Sequence, residues 1–137
     1  MLAACSSSQV SIPDAGFEVV APSTGPVAFA VADSAAAMGF MFPRPSVAVS
    51  SSAVTVHDKR YGSLCQLDLA ASASVTGSVI ALHVKFAERL TSCVAEVRAL
   101  SYTARISAAP GSYDLIVIHD QNNAADTVLT QKVLIPK

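Results

Sequence analysis

The chain has 137 residues, a length that fits one domain with an extended arm. Hydrophobic residues make up 52% and charged ones 14%, which excludes an intrinsically disordered chain. Net charge is −1 with no basic cluster, which argues against a nucleic-acid partner, and no apolar run reaches the roughly 20 residues a spanning helix needs. Ala, Ser, Val and Thr dominate and Trp is absent, a mixture suited to closely packed strands.

Residues 6–25 read as a tether and arm. Ser, Pro, Gly and Thr prevail there, only Phe17-Glu18-Val19-Val20 has strand character, and Pro13, Pro22 and Pro26 interrupt the rest. Val27–Val31 alternates large and small side chains and is a first strand. In "ADSAAAMGFMFPRP", Asp33 or Ser34 is placed to cap a short helical turn through Ala35–Met38. Gly39 ends that turn, and Pro43 and Pro45 prevent its return. From Ser46 the period is two. Val47 and Val49 share one parity and Val54 and Val56 the other, so Ser50-Ser51-Ser52 holds a bulge or a strand break.

Cys65, Leu67, Leu69 and Ala71 then alternate with polar or small residues. A turn falls near Thr76-Gly77, and Ile80, Leu82, Val84 and Phe86 alternate after it. Ala87–Leu100 carries both periods. Leu90, Val94, Val97 and Ser101 have helical spacing, whereas Cys93, Ala95, Val97 and Ala99 alternate, and a strand from about Cys93 is the expectation. Tyr102, Ala104 and Ile106 form the inward set of the next strand. Pro110-Gly111 turns the chain into a strand over Tyr113–Ile118. Gln121-Asn122-Asn123 turns it again, and Val128–Ile135 is the last strand, stopped by Pro136. The expected division is residues 1–45 as signal remnant, tether and arm, and 46–137 as the sandwich, with the strand at 27–31 open to join it.

Two stretches resemble known families. The end of the chain, "AAPGSYDLIVIHD", a polar turn and a final strand, resembles bacterial immunoglobulin-like domains, in which a PG-x-Y-x-L-x-V stretch opens the penultimate strand. The resemblance implies an all-β fold, an immunoglobulin-like antiparallel β-sandwich with an extended N-terminal arm, and a tyrosine-corner role for Tyr113. Cys65 and Cys93 do not stand at the usual immunoglobulin disulfide positions, and the core Trp of that family is missing. Leu2-Ala3-Ala4-Cys5, followed by Ser6-Ser7-Ser8-Gln9, is similar to the lipobox and tether of bacterial lipoproteins. Four residues precede Cys5, fewer than a basic and an apolar signal region require. The lipobox resemblance implies a lipid anchor at Cys5, and it leaves Cys65 and Cys93 to pair as a disulfide in an oxidising compartment. Such a bond closes a loop of about 28 residues and is worth ~3 kcal/mol on the chain-entropy model. The alternative is three buried thiols acting as small hydrophobes.

Residues with chemical potential are sparse. His57-Asp58 and His119-Asp120 are His–carboxylate neighbours that can ligate zinc or form a base and its orienter. They read more simply as polar residues where strands run out into loops, and His83 as an outward strand residue. No HxH, HExxH, CxxC or G-x-S-x-G spacing and no Gly-rich phosphate loop occurs. The expectation is no catalytic residue, no metal site and no cofactor. Met38, Phe40, Met41 and Phe42, beside Arg44, form a compact apolar group that either plugs the sandwich or binds a partner.

These readings converge on a non-catalytic extracytoplasmic accessory subunit, at the periplasm or cell surface. It docks on and stabilises a larger membrane-associated protein complex, and it touches the membrane through lipid at Cys5. A free-standing ligand- or carbohydrate-binding module, a virion or surface decoration protein, and an enzyme using the His-Asp pairs are the alternatives.

Overall fold

Alternation of large apolar with small or polar residues produces strands that stack in two layers. The computed structural model describes residues 18–35, 44–90, 92–93 and 98–137. Its strands are β1 (Val19–Val20), β2 (Ser23–Thr24), β3 (Val27–Ala35), β4 (Ser46–Val49), β5 (Ala53–Tyr61), β6 (Leu67–Thr76), β7 (Val79–Glu88), β8 (Arg98–Ser107), β9 (Gly111–Gln121) and β10 (Ala124–Ile135). Sheet A has the order β1-β3-β8-β5-β4, and sheet B the order β10-β9-β7-β6-β2. The chain is thus an all-β, two-sheet sandwich.

Sheet A is antiparallel throughout. Sheet B is mixed, because β7 pairs parallel with β9 and β2 parallel with β6. The antiparallel expectation therefore fails in sheet B. The reason is connectivity. Parallel neighbours need a crossover between them. From β7 the chain passes to sheet A as β8 and returns as β9, so β8 is itself the crossover.

The core forms between the facing sides. Val54 and Val56 of β5, and Leu100, Ala104 and Ile106 of β8, face Ile80, Leu82 and Val84 of β7 and Leu115 and Val117 of β9. Burying each large aliphatic side chain contributes about 1.5–3 kcal/mol. The strand read at 27–31 lies within β3, between β1 and β8, and supplies Phe29 and Val31 to this core.

The turns follow their chemistry. Ser50–Ser52 is a strand break that joins β4 to β5, with Ser50 N–H donating to the Ala53 carbonyl. Gly77, at φ +59°, begins the two-residue turn between β6 and β7. Asn122 and Asn123, at φ +56° and +63°, make the β9–β10 hairpin, where two consecutive left-handed residues match the twist of the strands. Tyr113 donates its hydroxyl proton to the Ala109 carbonyl at 2.7 Å, just before β9, as a tyrosine corner does.

Three local expectations change. Asp33 and Ser34 do not cap a helix, because both lie inside β3. The Asp33 carboxylate instead accepts from Leu64 N–H at 2.9 Å and from Arg98 at 3.1 Å, which ties β3 to β8 and to the loop before β6. The remainder of the expected helical turn lies outside the described residues. Cys93 itself stands outside any strand and β8 is described from Arg98; residues 94–97, where the expected strand would begin, lie outside the described residues. Finally, the arm is more than a tether where it is described. β1 pairs with sheet A, β2 pairs with sheet B, and Ala71 N–H donates to the Pro22 carbonyl between them. The segment closes one side of the sandwich by changing sheets.

Candidate functional site

Inward positions in two strands switch from apolar to polar at the same pole. In β5 the inward series runs Val54, Val56, Asp58, Arg60. In β9 it runs Leu115, Val117, His119, Gln121. Asp58 lies opposite Tyr102 of β8 within sheet A, and β9 belongs to sheet B. The polar groups of both sheets therefore meet across the sandwich.

Their geometry is specific. Arg60 donates from one guanidinium nitrogen to His119 Nδ1 at 3.2 Å and from the other to Gln121 Oε1 at 3.2 Å. A guanidinium only donates, so Nδ1 is an acceptor and the imidazole proton sits on Nε2. Nε2–H points to Tyr102 Oη at 2.7 Å, with Asp58 Oδ2 3.5 Å away. Asp58 Oδ1 accepts from Lys59 N–H at 2.8 Å. Arg60 also stacks on the Phe86 ring, 4.6 Å from its centroid, and Phe86 meets the imidazole edge-on. His119 is 6% exposed and Asp58 9%.

Burial sets the protonation states. Burial first, and then the adjacent Arg60 charge, lower the His119 pKa to about 4, with Asp126 pulling the other way. Burial raises the Asp58 carboxyl above its ordinary range, against the pull of Lys59 N–H and of the Arg60 charge. Burial, then the Asp58 charge, raise the Tyr102 phenol. At neutral pH the cluster holds a neutral imidazole and a protonated phenol. Both imidazole nitrogens are engaged inside the protein. The arrangement fastens sheet A to sheet B, and it offers no imidazole lone pair to a substrate.

The two His-Asp neighbours read from the sequence do not work as pairs. They lie within β5 and β9, not at strand ends, and alternation sends sequence neighbours to opposite faces. His57 points outward, with Nδ1 3.1 Å from Thr103 Oγ1, while Asp58 points in. His119 points in and Asp120 out. The spatial pairs are His119 with Asp58, and His83 with Asp120 at 3.9 Å. Arg60, Tyr102 and Gln121 had no motif to mark them. Their signal was parity, since each is a polar residue at an inward position.

Cys65 and Cys93 form a disulfide with Cα atoms 6.1 Å apart, at the pole where β6 begins and β7 ends. It points to an oxidising, extracytoplasmic compartment. Arg44 is exposed two residues before β4. Cys5, Met38, Phe40, Met41 and Phe42 lie outside the described residues. Among the described residues no three His, Cys, Asp or Glu side chains gather as a metal site would require. On the outer face of sheet B a trough of about 330 Å³ runs between the arm residues Pro22–Thr24 and His83, Lys85 and Asp120, with Ala70 and Ser72 as its floor.

No family model, curated protein or solved structure matches the chain.

Proposed function

We propose that this protein is a non-catalytic, extracytoplasmic accessory subunit that docks on a larger membrane-associated complex and stabilises it by adding buried contact area. One observation carries the reading. The cluster with the greatest chemical potential, Arg60–His119–Tyr102–Asp58, spends its hydrogen bonds on holding the sheets together. A rigid sandwich with an inert interior acts through its surface. The Cys65–Cys93 bond supports the location, since disulfides persist outside the cytoplasm. Lipid on Cys5 is the proposed membrane attachment. Met38, Phe40, Met41, Phe42 and Arg44 are the proposed contact group, because Met and aromatic side chains bury much area on irregular surfaces. An immunoglobulin-like ancestry is part of this proposal, supported by the tyrosine corner at Tyr113.

The test is mild detergent extraction of native membranes, followed by native and intact mass measurement. The reading expects the protein in a stoichiometric assembly and an acyl addition at Cys5. Recovery as an unlipidated, freely soluble monomer overturns it. A second reading, a small-ligand module, is favoured only by the trough beside His83, Lys85 and Asp120. Among the described residues its lining contains no Phe, Tyr or Trp, which disfavours carbohydrate as its ligand.

A further inference from the structure

A sheet ends in edge strands, and an edge presents main-chain groups that no neighbour satisfies. Three of the four edge strands here are short: β1 and β2 have two residues each and β4 has four. The fourth, β10, has 12. It pairs with β9 on one side, and no described strand pairs with it on the other. The bulge between Thr127 and Leu129 breaks its first half, but Leu129–Ile135 runs in regular register against β9 and contains no proline.

The groups that face outward follow from the neighbouring pairing. Asp114 N–H donates to the Ser78 carbonyl at 2.8 Å, so the Asp114 main chain turns toward β7. Main-chain direction alternates along a strand, so Tyr113 and Leu115 turn toward β10. Lys132, opposite Asp114, is therefore in a non-hydrogen-bonded pair, and its N–H and C=O point away from the sheet. Thr130 and Leu134, two residues to either side, do the same. All three are exposed, Leu134 by 65%. Charged side chains commonly guard such an edge. Lys132 is the one charge in Leu129–Ile135, and its ammonium turns back over its own sheet to Asp114 Oδ1 at 2.9 Å. Beside Lys132 and Leu134 lies a hollow of about 360 Å³ whose lining includes Ser112 and Asp114.

This edge is complementary to itself. A two-fold axis perpendicular to the sheet sets β10 antiparallel to β10 of a second copy. An axis through Lys132 would place the two lysines face to face, and like charges directly opposite destabilise a strand pair. One residue further, at Val133, Lys132 stands opposite Leu134 of the other copy. The two Leu134 side chains then become diagonal neighbours, each beside a hollow, and each ammonium keeps its own Asp114. The outward N–H and C=O groups of Lys132 and Leu134 form about four main-chain hydrogen bonds across the axis.

We infer that β10 is the interface through which two copies of this chain pair, joining their B sheets edge to edge. The inference goes beyond the docking reading and does not depend on it. A strand from another protein would satisfy the same main-chain groups. The second copy is favoured because it also covers the exposed Leu134 with an equal apolar side chain while keeping the lysines apart.

The test is sedimentation velocity of the full chain from about 1 µM to about 500 µM. One strand pair is a small interface, so a monomer–dimer equilibrium with a dissociation constant on the order of 10 µM is expected. Amide exchange at Lys132 and Leu134 is expected to slow several-fold at the top of that range, while Gln131 and Val133, bonded to β9, are protected throughout. Lys132→Pro removes an outward N–H and no bond to β9, and is expected to weaken the dimer roughly tenfold or more. Lys132→Ser removes the same ion pair but keeps the N–H, and is expected to change it less than about threefold. Val20→Lys, on β1 at the opposite side, is expected to change it less than about twofold. A urea midpoint reports whether Lys132→Pro is folded. If it is not, Leu134→Lys carries the test, with an expected loss of roughly tenfold or more. A monomer across the whole range overturns the inference, as do species that grow beyond two copies. A dimer indifferent to Lys132→Pro and Leu134→Lys, or weakened equally by Val20→Lys, overturns it too. Equal losses in Lys132→Pro and Lys132→Ser, or fast exchange at Lys132 and Leu134 within the dimer, do the same, because the main chain of β10 is then not the contact.

Discussion

Acidification should destabilise this fold through His119, and the structure fixes the direction and the window. The imidazole is 6% exposed, and burial with Arg60 lowers its pKa from 6.5 to about 4. Between those values the unfolded chain binds a proton that the native state refuses. Stability from this group is complete above about pH 6.5 and falls as pH drops toward 4, by up to ~1.4 kcal/mol per pH unit and ~3 kcal/mol across the window. Asp58 acts with the opposite sign. Its raised pKa means the native carboxyl takes up its proton first, which offsets part of the loss at the acid end. Asp126 opposes the shift on His119 without reversing it. The assay is urea unfolding at steps from about pH 7.5 to about pH 4.5, with wild type beside His119→Gln. Glutamine keeps an acceptor for Arg60 and a donor for Tyr102 but does not titrate. The variant is expected to be less stable at neutral pH by about 1–3 kcal/mol and to lose the steep fall between pH 6.5 and 4. His57→Gln, on the outer face, is expected to retain it. Equal slopes in wild type and His119→Gln would refute the reasoning.

Other outcomes can be checked by thermal or urea unfolding. Gly25→Ala is expected to cost several kcal/mol or to detach the arm, because Gly25 has φ +85° and an added Cβ would run into the Ala73 carbonyl oxygen. Hydrogen exchange at Ala71, whose N–H bonds to the Pro22 carbonyl, reports the detachment. Cys65→Ser/Cys93→Ser is expected to lose about 3 kcal/mol with sheet structure retained by circular dichroism. Tyr113→Phe removes the bond to the Ala109 carbonyl and is expected to cost about 1 kcal/mol, since the oxygen left behind regains water.

The parts of the fold written in local chemistry were legible in the sequence. Period two marked β5 to β8, β-forming residues between turns marked β9 and β10, Gly77 and Asn122-Asn123 marked the hairpins, and Pro110-Gly111-Ser112-Tyr113 marked the corner that opens β9. What was not legible depended on remote partners. Nothing near Asp33 shows that Leu64 and Arg98 hold it in a strand, so its local cap propensity misled. The parallel pairing of β7 with β9 needs knowledge of which sheet β8 joins. The histidines teach the same point at the candidate site. His119-Asp120 suggests a pair, yet alternation separates the two, and the real partner, Asp58, is distant in sequence. Parity was the usable signal, because Asp58, Arg60, Tyr102, His119 and Gln121 all interrupt apolar inward series.

The proposed docking role requires an interior whose reactive groups are locked into fastening the sheets. Nitrogen-15 NMR of the His119 imidazole through a pH titration tests this most directly. The account predicts a single neutral tautomer with its proton on Nε2 at neutral pH and a midpoint near 4. A midpoint at the ordinary 6.5, or rapid averaging of both tautomers, would mean an imidazole open to solvent and would contradict it.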